Sequence, residues 1–236
     1  MSRPKKPAIS LNGLLVVDKP LGLSSMDVVR RVRRAAGGVK TGHAGTLDPL
    51  ATGVVVCCLG RATKAVPRLM DMSKTYEATV DLSAFTCTDD KEGPREEVDV
   101  AAPPNEAAVR AALDRFEGQI QQRPPAHSAV HVDGRRAYER ARRGEDFELP
   151  LRTVRIDRIE LISFDWPMLE IRVHCGKGTY IRSLARDLGR TLGTGGHLAA
   201  LRRTAVGSYD LSGAADEARL KQPITQSDLI DVPPDA

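Results

Sequence analysis

Residues 40–64, KTGHAGTLDPLATGVVVCCLGRATK, constrain this chain more than any other stretch. Gly42, Gly45 and Gly53 interrupt a polar loop, and Val54, Val55, Val56, Cys57, Cys58 and Leu59 then follow without a polar break. An apolar run this short, with no alternation, reads as a strand buried on both faces. The loop is thereby fastened to a core. Within it Asp48 stands between Leu47 and Pro49. A residue preceding proline is driven to extended backbone, which restricts where its carboxylate can point. Residue types alone leave two readings: Asp48 caps a single turn that Pro49 opens and Gly53 closes, or it is an acid held in place for chemistry.

The rest of the chain supplies enough material for one catalytic domain around that core. At 236 residues and 41% hydrophobic content, a single sizeable core with at most a small appendage is expected. Lys and Arg number 35 against 31 Asp and Glu, a net charge of +4, compatible with a polyanionic partner. Four cysteines, two of them adjacent, form neither a disulfide framework nor CxxC metal spacing, which points to a reducing cytoplasm. No apolar run is long enough to cross a bilayer, and the charged N-terminus has no hydrophobic region behind it. A soluble protein without membrane partner is therefore expected, with residues 1–10 and the acidic, proline-bearing 231–236 disordered.

Residues 14–17 read as a strand, and Ser24 or Ser25 as the cap of a helix with Val28, Val29, Val32 and Ala36 on its apolar side. Arg30, Arg33 and Arg34 share the opposite face and Lys40 follows, either a solvated face or a set of phosphate contacts. A helix is expected over 62–70 around Pro67. Residues 74–84 alternate, with Tyr76 pointing inward. Residues 85–104, acidic and turn-rich, read as a surface loop ahead of a helix over 105–116 whose Val109, Leu113 and Phe116 face inward. Between 118 and 145, Arg123, Arg135, Arg136, Arg140, Arg142 and Arg143 crowd around Pro124-Pro125 and a hairpin-like Val132-Asp133-Gly134, a density suited to an RNA backbone. Strands are expected over 151–164 and 169–175. A helix capped by Thr179 comes next, burying Ile181, Leu184, Ala185 and Leu188. Arg182 falls in the first turn of that helix, where the macrodipole disfavours a cation, and such breaches of a local rule tend to mark function. A last strand starts with Arg202 and Arg203.

The 42–64 stretch, GHAGTLDPLATGVVVCCLGRATK, closely resembles the signature of the TruB-type tRNA pseudouridine-55 synthases. Similar pieces recur in order as LLVVDKPLGLSS, SKTYEATVDL, PPAHSAVHVDGRRAYERAR, GKGTYIRSLARDLG and GGHLAALRRTAVG, so that the likeness covers residues 11–212. The resemblance implies an α+β fold with a large mixed, mainly antiparallel sheet flanked by helices around an active-site cleft. It implies that Asp48 is the catalytic nucleophile. Tyr76 would stack on the target uracil and be a candidate base, and Arg182 would pair with the nucleophile. His43, Tyr180, Leu201, Lys19, Arg61 and Lys64 would contact the substrate, His43 by helping to extrude the base and Leu201 as a pocket wall. Arg30, Arg33, Arg34, Lys40, Arg123, Arg135, Arg136, Arg202 and Arg203 would meet the RNA backbone. Residues 118–145 correspond to the insertion that grips the tRNA arm, although His127 and His131 stand where tyrosine and lysine are usual. Residues 213–236 form a short tail in this reading, with no PUA RNA-binding domain.

Pseudouridine formation breaks the bond from C1' to N1, turns the base and rejoins it through C5, with no redox change. No cofactor and no metal are expected. The sequence carries no GxxxxGK[ST] or GxGxxG loop, no GxSxG elbow and no His/Cys metal constellation. A carboxylate can attack C1' or C6, and both routes stay open. The expected partner is the tRNA T stem-loop, bound by a monomer without an obligate protein partner. Two rivals fit the same arginines: a non-catalytic tRNA-binding or folding chaperone, and a synthase of the same fold acting on other RNA.

Overall fold

The computed structural model describes residues 11–232 apart from 129–130, 133–134, 144 and 146; residues 1–10 and 233–236, expected to be disordered, lie outside the described residues. In chain order the elements are β1 (Gly13–Lys19), α1 (Ser25–Ala35), β2 (Thr41–His43), β3 (Ala51–Leu59), a 3-10 turn (Gly60–Ala65), α2 (Val66–Asp71), β4 (Lys74–Asp81), β5 (Ala84–Thr86), β6 (Arg95–Glu97), α3 (Glu106–Asp114), β7 (Gly118–Gln122), β8 (His131–Val132), β9 (Arg135–Arg136), α4 (Ala137–Arg142), β10 (Arg152–Asp165), β11 (Met168–Cys175), α5 (Ile181–Leu192), β12 (His197–Val206) and β13 (Tyr209–Asp210). The fold is mixed α and β with mostly antiparallel pairing. The chain divides into two compact units, Met1–Lys74 with Arg202–Ala236, and Thr75–Leu201.

In the first unit β1 lies antiparallel to β3 from Gly13↔Leu59 to Lys19↔Gly53, and β2 pairs with the far end of β3 from Thr41↔Leu59 to His43↔Cys57. The apolar run of β3 is buried throughout, as its lack of alternation predicts. Its side chains form a core with Leu14, Val16, Ala44, Leu69, Val206 and Tyr209. Ser24 caps α1, accepting from Asp27 N–H while the Asp27 carboxylate accepts from Ser24 N–H, a reciprocal capping box. Residues 213–232 belong to this core's periphery: Ala215 bridges Val17, Ile230 bridges Leu14, and Ile224 is buried. The helix expected over 62–70 is two pieces, the 3-10 turn and α2, with Pro67 in the first turn of α2, where its missing N–H costs nothing.

In the second unit the strand order runs from β12 through β4, β11 and β10 to β7. β10 is one long strand hydrogen-bonded to β11 on one side and β7 on the other. β4 and β11 alternate buried and half-exposed residues, which follows from one face packing on helices and the other facing outward. The helix cap expected at Thr179 falls one residue later: Tyr180 occupies the N-cap without a side-chain bond. The buried Gln122 amide takes over, accepting from Tyr180 N–H at 2.8 Å and donating to Tyr180 C=O at 3.1 Å. The stretch expected to be an exposed acidic loop is the β5–β6 hairpin, and Asp89 and Asp90 inside it are 8% and 2% exposed.

Candidate active site

Asp48 is half-buried in the 44–50 loop, and several main-chain groups on either side of it are held. Ser25, one residue past the α1 cap, accepts from Leu47 N–H at 2.7 Å and donates to Leu47 C=O at 3.2 Å. Ala51 N–H donates to Asp48 C=O, and Gly22 N–H to Pro49 C=O. Arg203 is 1% exposed and spends its guanidinium on the loop, donating to Val54, Thr46 and Gly45 carbonyls at 2.7, 3.4 and 3.1 Å. Gly53 lets it come this close. Its φ is +101°, and a Cβ there would stand 2.2 Å from Arg203 O, so only glycine fits.

Lys19 is fully buried at the end of β1. Its ammonium donates to Leu23, Pro20 and Pro49 carbonyls at 2.6, 3.0 and 3.4 Å. Burial lowers its pKa from 10.5 to about 8 against the upward pull of the Asp48 carboxylate, with Arg203 lowering it further. Lys19 and Asp48 are thus electrostatic neighbours. Lys19 and Arg203, expected to meet substrate and RNA backbone, are both buried, and their described bonds brace the Asp48 loop and the segments beside it. Arg202 is half-buried on Asp18 and Thr52. The His43 imidazole, held below its usual 6.5 by burial and by Arg203, is neutral at pH 7, and its buried Nδ1 has no hydrogen-bond partner among the described residues. Cys57 and Cys58 are pushed up by burial, Cys58 to about 11, so neither offers a thiolate nucleophile.

A linkage prediction follows for Lys19. Its folded pKa lies below its unfolded one, so the unfolded chain binds the extra proton between pH 8 and 10.5. Burying the ammonium costs about 3 kcal/mol below pH 8, and this cost is relieved as pH rises toward 10.5. The unfolding free energy of wild type relative to Lys19→Met is expected to rise by up to about 3 kcal/mol from pH 7 to pH 10 in denaturant titrations. A pH-independent difference would contradict the shift.

In the second unit Tyr76 is 8% exposed on the inward face of β4, and Leu201 is 9% exposed on β12. Arg182 sits in the first turn of α5 at 6% exposure. Its guanidinium bonds Asp90 Oδ2 at 3.2 Å, Thr88 C=O at 3.1 Å and His127 C=O at 3.1 Å. One turn on, Arg186 bonds Asp89 Oδ2 at 2.6 Å and Arg123 C=O at 2.9 Å. Asp90 and Asp89, the acids that pair with these two arginines, are not singled out by the sequence. Tyr180 packs on Ala137, Leu149 and Phe147, the small core of the insertion. Arg140 is spent on that insertion too, bonded to Glu145 at 2.8 Å and stacked 4.7 Å over Phe147.

The remaining expected contacts divide by position. Arg30, Arg33, Arg34 and Lys40 are exposed, as a phosphate-contacting face requires, with Arg30 paired to Asp27. Arg123 is half-buried and bonded to Glu148 and Leu149 C=O. Arg135 and Arg136 form the β9 backbone opposite Val132 and His131, while Asp133 and Gly134 of the expected hairpin tip lie outside the described residues. Arg61 and Lys64 follow the C-terminal end of β3, whereas Asp48 precedes its N-terminal end, roughly 25–30 Å away at about 3.3 Å per strand residue.

Comparison with known proteins places this fold and site in the pseudouridine-synthase class of enzymes. Residues 33–181 match the TruB family pseudouridylate synthase N-terminal domain, and residues 182–228 match the tRNA pseudouridylate synthase B C-terminal domain. The chain belongs to the TruB family of pseudouridylate synthases. It is 46% identical over 224 residues to tRNA pseudouridine synthase B of Corynebacterium diphtheriae, covering 91% of this chain and 74% of that one. It is 48% identical over 212 residues to the protein of the same name from Bordetella pertussis, covering 89% and 87%. Among solved structures it resembles a chain of a Cbf5-Nop10-Gar1 complex with a TM-score of 0.70 and 28% identity, covering 92% of this chain; this chain spans 59% of the length of that one.

Proposed function

We propose that this chain isomerises the T-loop uridine at position 55 of tRNA to pseudouridine, with Asp48 as the covalent nucleophile. The observation that carries the reading is the Asp48 loop itself: a buried arginine, a buried lysine and a serine bond its backbone, while the Asp48 residue stays only half-buried. A nucleophile needs that combination of fixed aim and solvent access. The names of the relatives support tRNA as the substrate. The target uridine must leave its stack to reach a loop acid, and Tyr76 offers the π-face that receives the extruded base. Arg182 supplies the guanidinium that pairs with the nucleophile and aims it. His43, neutral at pH 7, assists extrusion by stacking rather than by charge, and Leu201 closes the pocket wall. The exposed cations of α1 and Lys40, with the arginines of the insertion, hold the T stem by its phosphates. The protein works as a monomer in the cytoplasm.

The test is to incubate the protein with unmodified tRNA transcript and map pseudouridine at nucleotide resolution. One modified site at position 55 is expected, and none in a transcript carrying cytidine there. Tight binding without any product would favour the chaperone reading, and modification elsewhere would move the substrate.

A further inference from the structure

At the end of β3 remote from Asp48 lies a cleft of about 370 Å³. Arg61, Lys64 and Arg68 line it, spaced i, i+3 and i+7 along the 3-10 turn and α2, and Ala62, Ala65 and Val232 give it an apolar floor. Among the described residues, no carboxylate lines it. Arg61 and Lys64 are exposed, and no ion pair engages either among the described residues. The wall is preformed: Asn12 Oδ1 accepts from Ala62 N–H at 3.0 Å, while Gln226 bonds Asn12 N–H and C=O at 3.0 and 2.8 Å. The same end of β3 receives Lys40, whose carbonyl accepts from Gly60 N–H at 2.8 Å, so the cations that follow α1 adjoin those of the cleft.

We propose that this cleft is a second anion-binding site, which holds phosphodiester groups of the RNA substrate at nucleotides away from the reacting uridine. Three cations converging on a fixed, uncharged floor match a polyanion's backbone. The separation from Asp48 makes this a contact that raises affinity and sets register without entering the chemistry. It also explains why Arg61 and Lys64 stand so near the catalytic loop in sequence and so far from it in space.

The inference rests on RNA being the substrate, so the test separates the two. The full chain and its Arg61→Ala/Lys64→Ala variant are titrated with unmodified tRNA transcript from 50 to 200 mM salt, and turnover is measured at saturating RNA. Each phosphate contact contributes roughly 0.7–0.9 to the slope of log affinity against log salt. The variant's slope is expected to be shallower by roughly 1.4–1.8, so that the wild-type advantage in affinity shrinks roughly tenfold over this salt range. KM rises and kcat is unchanged, and the Arg61→Lys/Lys64→Arg exchange, which keeps the charges, restores the slope. Equal slopes in a variant with an unchanged melting temperature would overturn the site. If wild type makes no pseudouridine, the proposed function fails while the slope comparison still decides the cleft.

Discussion

Asp48→Asn is expected to abolish pseudouridine formation, by a factor on the order of 10⁴ or more, while RNA affinity stays within about twofold. The amide has nearly the shape of the carboxylate but cannot act as an anionic nucleophile, so the loss falls on chemistry. The loop should survive the change because the described bonds that hold it come from Ser25, Gly22, Lys19, Ala51 and Arg203 and end on main-chain groups. A second signature accompanies the first. The Asp48 charge raises the Lys19 pKa, so its removal should drop that pKa further below about 8. Single-turnover assays with mapped product check the rate, and lysine-resolved NMR titration checks the shift. Turnover within tenfold of wild type would remove Asp48 from the nucleophile's role.

The strand of the 54–59 run and the anchored Asp48 loop were legible because both are local: an unbroken apolar stretch and an acid before proline describe their own backbone. The buried cations were not. Lys19 and Arg203 look like RNA-contacting residues in the sequence, since a basic side chain carries no mark of where its charge ends. A signal existed for Arg203, which shares strand parity with the inward Leu201 and therefore lies on the buried face of β12. Asp89 and Asp90 were hidden differently. A turn-rich acidic stretch reads as surface, and their partners are more than ninety residues away. Here too a clue was available on α5, where Arg182 and Arg186 fall one turn apart among the apolar Ile181, Ala185 and Leu188. Two arginines on a buried face require two acids from somewhere else in the chain.

That requirement yields the second large effect. Asp90→Ala is expected to destabilise the protein by about 3–5 kcal/mol, because it takes a carboxylate from the Arg182 guanidinium in a site where both members of the pair are nearly inaccessible to water. The same carboxylate accepts from Thr88 Oγ1 at 2.6 Å and Glu92 N–H at 3.0 Å, so the β5–β6 turn loses its internal brace as well. Asp90→Asn keeps an oxygen for those two donors and gives up the charge, and should fall between wild type and Asp90→Ala. The attribution is checked by a cycle in urea with Arg182→Met: removing the cation first should make the loss of Asp90 cheaper by about 2 kcal/mol. Additivity within about 0.5 kcal/mol would mean that the acid braces the turn alone. Coupling would instead show that the aspartate fixes the guanidinium, and turnover of Asp90→Asn at saturating RNA then measures how far the reaction depends on that aim.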